Sequence, residues 1–309
     1  MKITSAVEDI LSNYKSDNPG TKSNLCRILM HGELGGTGRM LILPVDQGFE
    51  HGPARSFAVN PEAYDPIYHY SLAVEAGLSA YAAPLGMLEV GADQFAGQIP
   101  TILKMNSSNS LHGKSTQPDQ AITASVSDAV RLGCSAVGFT IYPGSDNINS
   151  MMEEIREISE EAKANGLAVV IWSYPRGGDL SKEGETALDV CAYAAHMACL
   201  LGAHIIKVKL PTKHIEQKEA VSVYEKCSVE KDDLSARVEH VKQACFAGKR
   251  LVVFSGGASK DLSGLYSEIE AIHKAGGNGS IIGRNTFQRP RVEALKMLKD
   301  IISIYQKDF

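Results

Sequence analysis

The stretch AHIIKVKLP, residues 203–211, is an apolar run interrupted by two lysines, Lys207 and Lys209. Its β-branched residues favour a strand, in which two side chains two positions apart point to the same face. Because burying an ammonium group is costly, a lysine in such a strand lies at its open end or shifts toward its neutral form. A neutral amine is a nucleophile toward carbonyl groups, whereas two lysines on a solvated strand edge need have no chemical role. Both interpretations are open at this point.

Similar β-type runs alternate with helical patterns along the whole chain, as is typical of parallel β-α-β units. The predicted strands lie near Met40–Val45, Leu78–Ala82, Thr101–Met105, Ala136–Ile141, Ala168–Ser173, His204–Val208, Leu251–Phe254 and Ser280–Ile282. The predicted helices are Tyr64–Ala76, Leu85–Phe95, Ala121–Leu132, Ser150–Asn165, Glu185–Leu201, Leu234–Phe246, Leu262–Lys274 and Arg291–Tyr305. Eight strands and eight helices predict an α/β fold of the (β/α)8 TIM-barrel type, with an open, doubly wound sheet as the alternative.

The pattern also predicts how the chain is divided. Residues 1–38 form an N-terminal helical extension, with helices at Ala6–Tyr14 and Ser23–His31, and residues 39–309 form a single barrel domain. Between the sixth and seventh strands, the charged and poorly periodic stretch Lys213–Asp233 predicts an insertion at about 211–235. It adds material on the face where barrel active sites form.

Composition excludes several classes of protein. The 309 residues are 44% hydrophobic and 22% charged, as in an ordinary globular protein, and the net charge of −5 argues against a partner such as nucleic acid. Six cysteines without a C-x-x-C pair predict reduced thiols. The chain shows neither a signal-peptide pattern nor an apolar run long enough to span a membrane. We therefore expect a cytoplasmic protein.

Polar residues follow nearly every predicted strand. In a barrel, the carboxyl ends of the strands meet at one face and supply the catalytic groups. From the first strand to the sixth, these residues are Asp46, Gln47, Glu50 and His51, then Lys104 and Asn106, then Tyr142, then Trp172, Tyr174 and Arg176, and finally Lys207 and Lys209. The sequence therefore predicts an active site at this face.

The seventh and eighth strands end in glycine-rich turns, residues 255–257 and 283–285, and the second leads into a short helix at Asn285–Phe287. Exposed backbone N–H groups and the forked cation of Arg284 suit phosphate oxygens. The alternative is that Gly256 and Gly257 only make a tight turn. The nine histidines are scattered, without an H-x-x-x-H or H-E-x-x-H spacing, so we expect neither a metal nor another cofactor.

Taken together, the motifs resemble one family. DQGFEHGP at 46–53, TIYPGS at 140–145, WSYPRGG at 172–178, IKVK at 206–209, SGG at 255–257 and GRN at 283–285 are similar to those of archaeal-type class I fructose-1,6-bisphosphate aldolases. The resemblance runs from about residue 40 to about residue 290. It implies reversible cleavage of fructose 1,6-bisphosphate to dihydroxyacetone phosphate and glyceraldehyde 3-phosphate, through a Schiff base and without a metal. Gln47, where many archaeal members carry histidine, and the insertion are closer to the longer bacterial-like form.

The resemblance also implies roles for single residues. Lys207 forms the Schiff base, Tyr174 transfers a proton and Asp46 lies against the reacting carbons. The implied substrate-binding residues are Gln47, His51, Lys104, Trp172, Arg176 and Lys209. The implied phosphate-binding residues are Ser255, Gly256, Gly257, Gly283 and Arg284. Sugar phosphates are the implied small-molecule partners, and a homo-oligomer is the implied assembly.

Two points depend on chemistry. A Schiff-base lysine must have a lowered pKa near neutrality, and we expect burial and the cations of Lys104, Arg176 and Lys209 to lower it. Two other functions stay open: a related Schiff-base aldolase or thiolase acting on another phosphorylated sugar, and a non-catalytic phosphosugar-binding regulator. Intact Lys207, Tyr174 and Asp46 argue against the last of these, although Tyr174 taken alone is also compatible with a core residue whose hydroxyl is satisfied.

Overall fold

Eight parallel strands close into a barrel in the computed structural model, which describes residues 2–111, 116–256 and 261–307. In chain order the barrel strands are β1 (Met40–Pro44), β2 (Ala80–Pro84), β3 (Thr101–Lys104), β4 (Ala136–Ile141), β5 (Ala168–Ser173), β6 (Ile205–Val208), β7 (Leu251–Ser255) and β8 (Gly279–Ile281). β1 pairs with both β2 and β8, which closes the ring. The (β/α)8 prediction is confirmed, and an open sheet is excluded because the ring has no edge strand.

A helix follows each barrel strand. The eight helices that alternate with the strands are Pro66–Glu75, Leu85–Gly91, Val126–Arg131, Ile148–Ala164, Leu188–Leu200, Leu234–Ala244, Leu262–Lys274 and Arg291–Tyr305. Additional helical segments lie in the loops, at Gln47–His51, Pro53–Phe57, Pro61–Tyr64, Gly184–Thr186, Lys218–Lys226 and Arg284–Phe287. The last of these confirms the short helix predicted after the eighth strand. No helix in the described ranges is long and apolar enough to cross a membrane.

The predicted helix Ala121–Leu132 is wrong in its first turn. Ala121–Ile122 instead pairs antiparallel with Asn106–Ser107, and the helix begins only at Val126. Ser125 sets this start, because its side chain accepts from the backbone N–H of Asp128 while the Asp128 carboxylate accepts from the backbone N–H of Ser125. Such a capping box holds the cap residue in an extended conformation that a helix cannot pass through.

The insertion has more structure than its weak periodicity predicted. It contains the helix Lys218–Lys226, none of whose residues is buried. Its first part is fastened to the barrel by the Asp189 carboxylate, which accepts from the backbone N–H groups of Glu216 and Gln217 at 3.0 and 2.9 Å. The insertion is therefore anchored beside the loop that follows β5.

Two helices precede the barrel, Ser5–Ser12 and Pro19–Leu29. Their apolar residues, including Val7, Leu25 and Ile28, pack into the same cluster as the inward-facing residues of the barrel strands. Tyr14 adds a polar link, since its hydroxyl donates to the carbonyl of His204 at 2.8 Å and accepts from the N–H of Leu251 at 3.3 Å. This segment covers the amino-terminal end of the barrel, opposite the predicted active site.

The covering helices should contribute measurably to stability. Leu25 is fully buried, so Leu25→Ala should lower the free energy of unfolding by about 2–5 kcal/mol through lost burial and a cavity. Leu200→Ala removes the same atoms from a side chain that is 67% exposed, and should change it by less than about 0.5 kcal/mol. Denaturant unfolding of the three proteins tests this. Equal midpoints for both variants would show that the helices do not seal the core.

Candidate active site

Lys207 lies inside the barrel near the carboxyl end of β6. It is 4% exposed and stands level with Trp172 of β5 in the sheet register. Since Ile205 belongs to the inner cluster and Lys207 follows it by two residues, the lysine side chain also points inward. Its Nζ lies 5.6 Å from the centre of the Trp172 ring and 5.3 Å from that of Tyr174. The buried-strand interpretation of Lys207 is confirmed.

The environment of Lys207 makes its amine reactive. Burial lowers the pKa of the Lys207 ammonium group to about 8, against the charges of Asp46 and Glu50, which raise it. The cations that lower it further are Lys104 and Arg284. At pH 7 about a tenth of the molecules then hold a neutral amine, compared with far less than a hundredth for an ordinary lysine.

Lys209 has a different environment. It follows the end of β6, is partly exposed, and its Nζ lies 3.0 Å from the carboxylate of Glu185. The same carboxylate accepts from Lys182 at 3.0 Å. Three cations were expected to lower the pKa of Lys207, and the structure supports this role for Lys104. Lys209 is instead in an ion pair with Glu185, and Arg176 lies over the ring of Tyr142. Arg284 was not expected in this role.

Lys104 and Trp172 are both buried close to Lys207. Lys104 is 2% exposed, and its Nζ donates to the backbone carbonyl and, at 2.9 Å, to the side-chain oxygen of Asn106. That ammonium group lies 5.8 Å from the centre of the Trp172 ring, so both lysines converge on one indole. Neither residue lines the cavity that opens at the carboxyl ends of the strands, so both act on Lys207 from within the barrel.

Two phenols belong to this face of the barrel, and Tyr174 lies beside the lysine. Tyr174 lines the cavity, and burial raises the pKa of its phenol well above the usual value, with Asp46 and Glu50 adding to the shift. It is therefore protonated at neutral pH. The hydroxyl of Tyr142 donates to Glu50 at 3.3 Å and accepts from Gln120 at 2.7 Å. The guanidinium group of Arg176 lies 5.3 Å from the centre of the Tyr142 ring.

One cavity of about 950 Å³ opens at the carboxyl ends of the strands. The predicted site residues that line it are Asp46, Gln47, His51, Tyr174, Arg176, Lys207, Lys209, Ser255, Gly256, Gly283 and Arg284. Gly257 lies outside the described residues. The barrel thus brings together side chains that are as far apart in sequence as Asp46 and Arg284.

The turns after β7 and β8 lie next to each other. The side-chain amide of Asn285 donates to the carbonyl of Gly256 at 3.1 Å, which joins the two turns. A Cβ atom on Gly283 would lie 2.7 Å from the carbonyl oxygen of Pro44, so the close approach of β1 requires glycine there. Arg284 is exposed and lines the cavity, where its cation can reach an anion.

Several residues at the site had no predicted role. Glu50 was among the polar residues that follow the first strand, but no role was predicted for it. Gln120 reaches the site from the short hairpin after β3, which no periodic pattern placed. From the other side, the insertion and the segment after it contribute Lys213, Asp232 and Arg237 to the cavity wall. The one available signal was that the insertion follows a strand that ends at the active-site face.

Comparison with known proteins gives a consistent result. A family model described as DeoC/LacD family aldolase matches residues 40–289. The chain is 37% identical over 294 residues to the probable fructose-bisphosphate aldolase class 1 of Chlamydia muridarum, covering 91% of this chain and 83% of that protein. It is 36% identical over 268 residues to the fructose-bisphosphate aldolase class 1 of Thermoproteus tenax, covering 86% and 89%.

Solved structures agree with these relatives. An archaeal fructose-1,6-bisphosphate aldolase, whose catalytic lysine is covalently bound to the carbinolamine intermediate of the substrate, is similar with a TM-score of 0.75 and 32% identity. A Schiff-base-forming fructose-1,6-bisphosphate aldolase is similar with a TM-score of 0.74 and 31% identity. Each similarity covers 91% of this chain and 98% of the other.

The role of Lys104 can be tested without any substrate. Lys104→Gln removes a like charge that lowers the pKa of Lys207, so that pKa should rise. The pH midpoint for modification of Lys207 by a small uncharged electrophile, followed by peptide mass, should therefore move up from about 8. Lys182→Gln removes a cation that is 89% exposed and paired with Glu185, and should leave the midpoint in place. Equal midpoints in both variants would contradict the assignment.

Proposed function

The chain belongs to the DeoC/LacD family of aldolases, and from that premise we propose that it is a metal-independent, Schiff-base aldolase. It reversibly cleaves fructose 1,6-bisphosphate to dihydroxyacetone phosphate and glyceraldehyde 3-phosphate. The observation that carries the proposal is Lys207, a buried lysine with a lowered pKa at the carboxyl end of β6, beside Tyr174. The named activities of the relatives support this substrate over another phosphorylated sugar.

The first step uses the neutral amine. Lys207 attacks the ketone carbon of the substrate, and loss of water from the carbinolamine leaves an iminium ion. The proton required by the departing hydroxyl can come from water or from Asp46, which lines the same cavity. The iminium ion is an electron sink, so the bond one carbon further along can break toward it and leave an enamine.

Tyr174 serves the carbon–carbon step, and its role is clearest in the direction of condensation. As the enamine attacks the aldehyde, the aldehyde oxygen gains negative charge and requires a proton. The Tyr174 phenol is protonated at neutral pH and can give that proton. The phenolate that forms faces the iminium cation that forms in the same event. Cleavage is the reverse, with the phenolate taking the proton of the substrate hydroxyl.

The phosphate groups set the position of the substrate. Ser255 and Gly256 in one turn, and Gly283 and Arg284 in the adjacent turn, can supply backbone N–H groups and a cation to a phosphate in the cavity. This arrangement suits the phosphate of the dihydroxyacetone half, since that half stays attached to the lysine. Arg176, which follows β5, and His51, which follows β1, line the same cavity and are the proposed partners of the other half.

The assembly is a further part of the proposal. We infer a cytoplasmic homo-oligomer in which residues 1–38 form the helical extension and residues 39–309 the barrel with its insertion. Six free cysteines, four of them buried, support a reducing compartment. Sedimentation of the purified protein should give more than the monomer mass of 33.2 kDa. A monomer at micromolar concentration would contradict the inferred assembly without affecting the chemistry.

The nucleophile can be identified by trapping. Borohydride reduces the iminium ion to a stable amine, so dihydroxyacetone phosphate should be fixed to the protein, with or without EDTA, and intact mass should show it. Lys207→Ala should abolish the adduct because it removes the buried amine of lowered pKa that lines the cavity. Lys209→Ala should retain it, because Lys209 lies beyond the strand in an ion pair. An adduct that survives in the Lys207 variant would refute the assignment.

Tyr174 should act after the covalent attachment. Tyr174→Phe keeps the packing of the ring and removes only the hydroxyl, so turnover should fall by about 10²–10⁴-fold while trapping of the adduct persists. Steady-state kinetics and borohydride trapping on the same preparation measure both. Normal turnover in the variant, or failure to form the adduct, would show that the role given to Tyr174 is wrong.

A further inference from the structure

The interior of the barrel carries two positive charges with little direct compensation. The ammonium groups of Lys104 and Lys207 both approach the ring of Trp172, at 5.8 and 5.6 Å. Among the described residues, neither group is in ion-pair contact with a carboxylate. An iminium ion on Lys207 is more costly to bury than the free lysine. The free lysine can lose its charge by releasing a proton, whereas the iminium ion cannot. The covalent intermediate therefore requires a negative charge nearby.

Two carboxylates are placed to supply it. Asp46 and Glu50 both follow β1, both line the cavity, and both favour the charged form of Lys207. They differ in how they are held. Within the described part of the chain, the Asp46 side chain makes no cap hydrogen bond, although Asp46 precedes a helix. Glu50 accepts from Tyr142 through one oxygen at 3.3 Å, and its other oxygen lies 3.9 Å from Nε2 of His51.

Tyr142 is itself fixed in place. It is 2% exposed, and its hydroxyl oxygen is occupied by the amide of Gln120 at 2.7 Å, so its single proton is directed to Glu50. Burial and the charge of Glu50 both raise the pKa of the Tyr142 phenol above its usual range, so it stays a donor. Arg176 covers the face of the same ring at 5.3 Å. Glu50 is therefore held by Tyr142, which is in turn fixed by Gln120 and Arg176.

We propose that Glu50, positioned by Tyr142 and Gln120, is the fixed anion that stabilises the iminium ion formed at Lys207. Asp46 is left free to exchange protons with the substrate. The proposal rests on the proposed Schiff-base function and gives one further residue of that site a role. Glu50 is partly exposed, but it acts through its charge on a buried amine, where a unit charge is felt more strongly than in bulk water.

The same charge has opposite effects on the free enzyme and on the intermediate. In the free enzyme Glu50 favours the ammonium form of Lys207, which slows attack on a carbonyl. In the intermediate it favours the iminium ion, which carries the reaction forward. A residue that only supported the fold would not show this opposition. The other charged groups around Lys207 are Asp46, Lys104 and Arg284, and they are unchanged by a substitution at Glu50.

The test is Glu50→Gln, which keeps the size and the hydrogen-bonding oxygen but removes the charge. In the substrate-free protein, the pH midpoint for modification of Lys207 by a small uncharged electrophile should move down by up to about 1 unit. Turnover should nevertheless fall by on the order of 10²-fold. The fraction of protein trapped by borohydride at saturating dihydroxyacetone phosphate should fall as well.

Two matched variants isolate the charge. Glu185→Gln removes another carboxylate from the cavity wall, but one that is paired with Lys209 and Lys182, and it should leave the Lys207 midpoint in place. Tyr142→Phe keeps the charge of Glu50 and removes its donor, so turnover should fall less than in Glu50→Gln. A midpoint that moves no further in Glu50→Gln than in Glu185→Gln would overturn the proposal.

Unchanged trapping and turnover in Glu50→Gln, despite a lowered midpoint, would overturn the proposal as well. Failure of the unsubstituted protein to form any adduct is a different result. It would overturn the proposed function, and the role of Glu50 with it. Because the midpoint is measured without substrate, it separates that outcome from a failure confined to Glu50.

Discussion

The structure depends on the burial of an amine inside an apolar barrel. Water would stabilise the ammonium form of Lys207, and the barrel withholds that water on all sides except the carboxyl end of the strands. Strands buried on both faces provide this environment, since every barrel strand except the last residue of β7 is buried throughout. The reactivity of Lys207 follows from this exclusion of water from the barrel interior.

Lys104 and Lys207 show two answers to the same constraint. Burial lowers the pKa of both ammonium groups. The ammonium group of Lys104 donates to two oxygens of Asn106, whereas Lys207 has no such acceptor among the described residues. The ring of Trp172 is close to both ammonium groups, the one that donates to Asn106 and the one that has no such acceptor.

The barrel could be predicted from the sequence because parallel strands read as continuous apolar runs, and these survive any error at their ends. Which side chains contact each other could not be predicted. Lys207 and Lys209 are two residues apart and therefore lie on the same face of a strand, so only the resemblance indicated which of them forms the Schiff base. The physical difference is that β6 ends at Val208, so that Lys209 meets Glu185 outside the barrel. Similarly, Gln120 reaches Tyr142 from a hairpin that exists only because Asn106–Ser107 and Ala121–Ile122 pair in the folded chain.

The helices that cover the amino end of the barrel have a consequence for biosynthesis. Tyr14 completes its hydrogen bonds only with His204 and Leu251, which lie 190 and 237 residues further along the chain. At translation rates of 5–20 residues per second, the apolar side of the first helices waits roughly 10–50 s for its partners. During that interval the two helices are already synthesised, but the strands against which they pack are not. Chaperone binding near the N-terminus would protect the nascent chain for that period.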